Sequence, residues 1–130
     1  MPSARHAARP PLHEVRQTRA MDSTDLSHGI AALSLWIDEG NRGRDPEAAT
    51  WARLAKITEE AGEVVAAQIG ATGQNPRKGV THTEADVQEE LLDVALTALA
   101  ALEHLRDHDE RSIELLTDKL GRTLQRAGLH

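Results

Sequence analysis

Apolar residues recur at helical spacing in four stretches of the chain, separated by polar or glycine-rich turns. Leu26, Ile30, Leu33 and Ile37 form one stripe, in a helix that Ser23 or Thr24 can cap and that runs to about Glu39. Gly40-Asn41-Arg42-Gly43-Arg44 is too glycine-rich and polar to continue it. Asp45-Pro46 then supplies an N-cap and a first-turn proline for a second helix reaching about Ile69. Leu54, Ile57, Ala61, Val64 and Gln68 make its stripe. Gly62 inside it costs about 1 kcal/mol relative to alanine, which suggests that another helix approaches closely there. Thr83-Glu84-Ala85-Asp86 has the form of a capping box and opens a third helix, to about Arg106, through Leu91, Ala95, Ala98 and Leu102. Leu92, Leu96 and Leu99 widen its apolar arc to roughly half the circumference, more than one neighbour covers. The last helix, about Asp109 to Ala127, carries Ile113, Leu116, Leu120 and Leu124 and ends before Gly128. Four helices with short connections predict an all-α, four-helix bundle-like domain over residues 23–128, completed by oligomerisation.

Acidic residues interrupt this pattern in two places. Glu60 and Glu63 lie three residues apart in the second helix, and Glu90 and Asp93 do so in the third. That spacing makes the members of each pair neighbours on one helix face. Counting roughly 100° per residue, Arg53, Lys56, Glu60 and Glu63 run down a flank of the apolar stripe. Glu90 and Asp93 likewise border Val87, Leu91 and Val94. Like charges at this spacing repel by a few tenths of a kcal/mol per pair, and a cation would offset that. If the two helices face each other, the four carboxylates form an oxygen cage for a hard ion such as Mg²⁺, with Mn²⁺ as an alternative. A solvated acidic face is the plain alternative.

Composition narrows the classes. The 130 residues carry a net charge of −6 and no cysteine, so there is neither a disulfide framework nor a cysteine-based zinc site. That composition permits a reducing cytoplasm, which is the expected location. No apolar run approaches bilayer-spanning length. The acidic balance argues against a nucleic-acid backbone binder, which needs a basic face. The stretch 1–22 differs: in its first 20 residues Arg5, Arg9, Arg16 and Arg19 face a single acid, Glu14, with Pro2, Pro10 and Pro11 among them. Those prolines spoil an amphipathic transit helix, so a disordered basic extension, or a start placed upstream of the true one at Met21, is expected. The irregular segment Gly70–His82 holds the basic pair Arg77-Lys78. It has no phosphate-loop pattern. It reads as a connector or as a lid that brings Arg77, Lys78 and His82 to phosphate oxygens.

Glu59-Glu60-x-x-Glu63, a gap of 26 residues, then Glu90-x-x-Asp93 resembles the E-E-x-x-E…E-x-x-D signature of the MazG-like, all-α nucleoside triphosphate pyrophosphohydrolases. The resemblance spans residues 24 to 105. It implies magnesium-dependent hydrolysis of a nucleoside or deoxynucleoside triphosphate to the monophosphate and pyrophosphate. It also implies a homodimer or tetramer. Glu60, Glu63, Glu90 and Asp93 would hold the metal, and Glu59 or Glu60 would serve the attacking water. Lys56 would contact phosphate, unless it is only an ion-pair partner of Glu60. Trp36 or Trp51 would stack on the base, unless each packs in the core. Two alternatives stand beside this: a phosphoribosyl-ATP pyrophosphohydrolase-like enzyme, and a non-catalytic helical interaction module. Di-iron bundles pair glutamates with E-x-x-H motifs, and this sequence contains none. The seven histidines are scattered and most read as surface residues; His28, His104 and His108 have no ligand-like partners in sequence.

Overall fold

The computed structural model describes residues 20–129, and among them the fold is all-α and four-helix bundle-like. The helices are α1 (Ser23–Gly40), α2 (Pro46–Thr72), α3 (Glu84–Leu105) and α4 (Ser112–Arg126), with no strand among the described residues. The expectations for residues 1–19 fall outside them. No described helix is long and apolar enough to cross a membrane.

Local chemistry sets most helix ends. Asp22, rather than Ser23 or Thr24, caps α1: its carboxylate accepts from the backbone N–H of Thr24 and Asp25, while Asp25 accepts from Asp22 N–H. Asp45 caps α2 with Pro46 in its first turn, as expected. That helix runs three residues past Ile69, to Thr72, and stops where Gly73 takes a left-handed φ of 65°. Thr83 and Asp86 make the anticipated capping box of α3. Helix α4 begins at Ser112, later than Asp109, because Asp107, His108 and Glu110 all have positive φ and cannot be helical. Its first amide is capped from afar: the fully buried Glu103 carboxylate accepts from Ser112 N–H (2.9 Å) and Glu110 N–H (3.1 Å).

Helices α2 and α3 form an antiparallel hairpin, the most extensive contact in the fold; α1 lies across α3, and α4 rests on α1 and α3. The α2 face that packs is rotated from the expected stripe. Leu54, Ala61 and Gln68 are exposed, while Arg53, Ile57, Glu60, Val64, Ala67 and Ala71 form the buried or half-buried seam. Opposite them run Val87, Glu90, Val94, Thr97, Ala101 and His104. Both sets step by alternating threes and fours, the spacing of a packed helix pair. Glu60 and Glu90 therefore occupy seam positions themselves, not positions beside the seam. In α1, Ser27, Ala31 and Ser34 face inward with Ile30, whereas Leu26 and Leu33 do not. Gly62 is open to solvent, with no neighbour near where a Cβ would stand, so close helix approach does not explain it. Gly70 is the tight position instead: a Cβ there would collide with the His82 ring and the Thr81 hydroxyl. Thr81 N–H also donates to the Gly70 carbonyl (3.0 Å), docking the α2–α3 connection onto α2.

Candidate metal centre and cleft

The antiparallel register of α2 and α3 brings Glu60 beside Glu90 and Asp93. One carboxylate oxygen from each lies within 4.8 Å of the others, the separation a single cation bridges. Glu60 and Glu90 are half-buried and Asp93 is exposed, so the triad opens to solvent on one side. Glu63 stands outside the triad but next to it. Its carboxyl is held above the ordinary value of 4.5, first by the charge of Glu60, then by partial desolvation and by Glu90. The donor set fits a hard divalent ion: all oxygen, with no histidine or sulfur. One oxygen also lacks any partner in the protein. Glu90 Oε2 is buried and unsatisfied, a state that costs about 1–3 kcal/mol or more for a charged group. A cation held by Glu90 through that oxygen would satisfy it.

Lys56 crosses the edge of this centre, pairing with Glu60 (3.2 Å) and Glu59 (3.0 Å). Glu59 is itself exposed and outside the triad. Beyond Lys56 a cleft of about 440 Å³ opens between α1, α2 and α3. Glu60 and Asp93 line one end, Arg53 and Ala100 the other, with Leu33, Ile37 and Leu96 as apolar wall. Asn41 and Thr97 add neutral polar groups to that lining.

The remaining sequence candidates are less central. Trp36 is 72% exposed at a shallow depression that shares Ile37 and Asn41 with the cleft. Trp51 is also exposed and lines no part of the cleft, so neither tryptophan packs in a core. Arg77 and Lys78 sit in the exposed turn past the end of α2. Fourteen or more residues separate them from Glu63, about 10 Å of helix to Gly70 and the turn beyond that, and neither lines the cleft. His82 is occupied at Thr81 (2.9 Å) and against Gly70.

Among His28, His104 and His108, the surface reading holds for one and fails for two. His28 is at the surface, paired with Glu110 at 2.9 Å. His104 and His108 are instead mostly buried around Asp38. His104 Nδ1 lies 2.7 Å from Asp38 Oδ2, and a ring nitrogen so close to a carboxylate must carry the proton and donate. Its Nε2 meets the Thr50 hydroxyl at 2.8 Å. His108 Nε2 faces both Ser34 Oγ (3.0 Å) and Asp38 Oδ2 (3.3 Å). This is no nucleophilic triad, because serine and aspartate share one ring nitrogen and Ser34 is fully buried. Hydropathy gives no sign of the cluster, since its members come from α1, α2, α3 and the α3–α4 turn.

Comparison of the chain with protein-family models, with curated proteins and with solved structures finds no match.

Proposed function

We propose that this chain is a magnesium-dependent nucleoside triphosphate pyrophosphohydrolase of the MazG-like kind, cleaving the α–β phosphoanhydride to give a monophosphate and pyrophosphate. The observation that carries the reading is the meeting of Glu60, Glu90 and Asp93 from two helices, with Glu90 Oε2 buried and unpartnered. Carboxylates at seam positions otherwise only cost stability. Mg²⁺ held there would neutralise phosphate charge and acidify the attacking water.

The protein's own part is positional, as phosphoryl transfer requires. Glu60, Glu90 and Asp93 hold the ion, with Glu63 adding charge from the next turn. Lys56, already poised between Glu59 and Glu60, exchanges a carboxylate for a phosphate oxygen, and Glu59 keeps it within reach. Base and sugar enter the apolar cleft beside it, with Trp36 at the rim. In the same reading the chain is a homodimer or tetramer. Leu91, Leu92 and Leu105 of α3, with Leu116 and Leu120 of α4, are all exposed, and contiguous exposed apolar area on a soluble protein marks interfaces. Light scattering at micromolar concentration should give a mass above the 14.2 kDa of one chain.

Pyrophosphate release with Mg²⁺ present or replaced by EDTA tests the activity. Asp93→Asn should abolish release while remaining folded, and Glu63→Gln, outside the triad, should weaken it. Full activity in Asp93→Asn would remove the metal assignment. A protein whose melting is indifferent to Mg²⁺ and nucleotide would be the interaction module instead.

A further inference from the structure

The cleft exists because α1 and α2 both lean on α3 and scarcely meet each other. Among the described residues, the hydrogen bonds and ion pair that join α2 to α1 all come from one side chain, Arg53. Its Nη2 donates to the Ser34 hydroxyl (2.5 Å) and to the Ala100 carbonyl of α3 (2.8 Å). Its Nη1 donates to the Ser34 carbonyl (3.3 Å) and stands 3.6 Å from Asp38 Oδ1. The guanidinium is only 6% exposed, and a buried charge is tolerated only when fully paired. Its acceptors are fixed in turn. Ser34 Oγ donates to Ala100 O (2.9 Å), and Asp38 is gripped from its far side by His104 and His108. His108 reaches in from a left-handed backbone position, φ 58°, a conformation that persists only where the surroundings impose it.

We propose that Arg53 is a positioning residue that sets the width of the cleft. It holds α1 at a fixed separation from the α2–α3 hairpin, so that Leu33 and Ile37, on either side of Ser34, form the cleft's third wall. The planar fork serves acceptors in three directions, which the single ammonium of lysine does not reproduce. The clamp rests on the pyrophosphohydrolase reading only for the identity of what fills the cleft. The clamp itself concerns α1 and the hairpin alone.

The test compares the parent, Arg53→Met and Arg53→Lys. Hydrogen exchange over residues 33–41 should quicken roughly tenfold or more in Arg53→Met, with the segments around Glu60 and Glu90 unchanged. For nucleoside triphosphates KM should rise roughly tenfold or more while kcat stays within about twofold. Inorganic tripolyphosphate, which needs the metal centre but no apolar wall, should keep its parental KM. Arg53→Lys should fall between parent and Arg53→Met. A merely structural role would instead lower the active fraction, cutting kcat for both substrates and leaving each KM alone; that pattern, or parental exchange over 33–41, overturns the proposal. Should Arg53→Met fail to fold, Ser34→Ala decides: faster exchange over 33–41 supports the clamp, and parental exchange there overturns it. Should the parent hydrolyse no nucleotide, the pyrophosphohydrolase reading fails while the exchange data still judge the clamp.

Discussion

Neutralising Glu60 should stabilise the metal-free protein and destroy its response to Mg²⁺. Three carboxylate oxygens within 4.8 Å of one another repel by about 0.9 kcal/mol per pair even at the dielectric of water, and by about 3.5 kcal/mol per pair at an effective value of 20. Glu60→Gln removes two of the three pairs. With Asp93 exposed, the lower figure governs, giving a relief of about 2 kcal/mol. Against it stands the lost ion pair with Lys56, worth a few tenths of a kcal/mol on a helix. The net gain of about 1–2 kcal/mol raises Tm by roughly 4–8 °C for a domain this size. The parent behaves oppositely when metal is added: an ion at about a hundred times its Kd stabilises by about 2.7 kcal/mol, more than the variant's gain. Thermal melts at pH 8, in EDTA and in Mg²⁺, should therefore invert the ranking of the two proteins. A variant that melts no higher than the parent in EDTA, with both proteins responding equally to Mg²⁺, would refute the reasoning.

Three further outcomes follow from particular contacts. Gly70→Ala should lower stability by about 1–3 kcal/mol, the usual cost of overpacking, because the added methyl meets Thr81 and His82; an unchanged melt would mean that this segment is not docked on α2. Asp86→Asn tests a pH dependence. Thr83 N–H and hydroxyl hold the Asp86 carboxyl below its ordinary 3.8, so its stabilisation is complete above that value and disappears as pH falls through the lowered one. Denaturant melts should show parent above variant at pH 6 and the gap closing as pH falls progressively below 3.8; a gap independent of pH would exclude the carboxylate as its source. Replacing Arg77 and Lys78 together by alanine should leave stability within about 0.5 kcal/mol and, if the segment is only a connector, KM within about twofold, since neither lines the cleft; a large rise in KM would instead make it a lid.

Where short-range chemistry decides, the sequence was explicit. Asp45-Pro46 and Thr83 with Asp86 mark helix starts that the fold reproduces, because a cap is satisfied within three residues of itself. The acidic pairs were legible for the same reason, as was the meeting of Glu60 with Glu90 and Asp93 across the α2–α3 hairpin; the fourth carboxylate, Glu63, stays outside that triad. The packing face of α2 was not. Hydropathy selects Leu54 and Ala61, whereas Arg53 turns inward because its partners, Ser34 and Ala100, arrive from distant parts of the chain, and Glu60 faces the α3 acids across the hairpin. His104 escaped for a like reason: its partner Asp38 is 66 residues away. Helix α4 was misplaced by three residues because Glu103, nine residues before Ser112, supplies its cap. Polar burial is written in tertiary contacts, and periodicity does not display them.

The central claim is a chemical outcome, and product identity tests it most directly. Phosphorus NMR of a panel of ribo- and deoxyribonucleoside triphosphates, incubated with the protein and Mg²⁺, should show monophosphate and pyrophosphate appearing in equal amounts. Glu90→Gln should yield neither. Release of diphosphate and orthophosphate, or no turnover of any triphosphate by folded parent, would contradict the account.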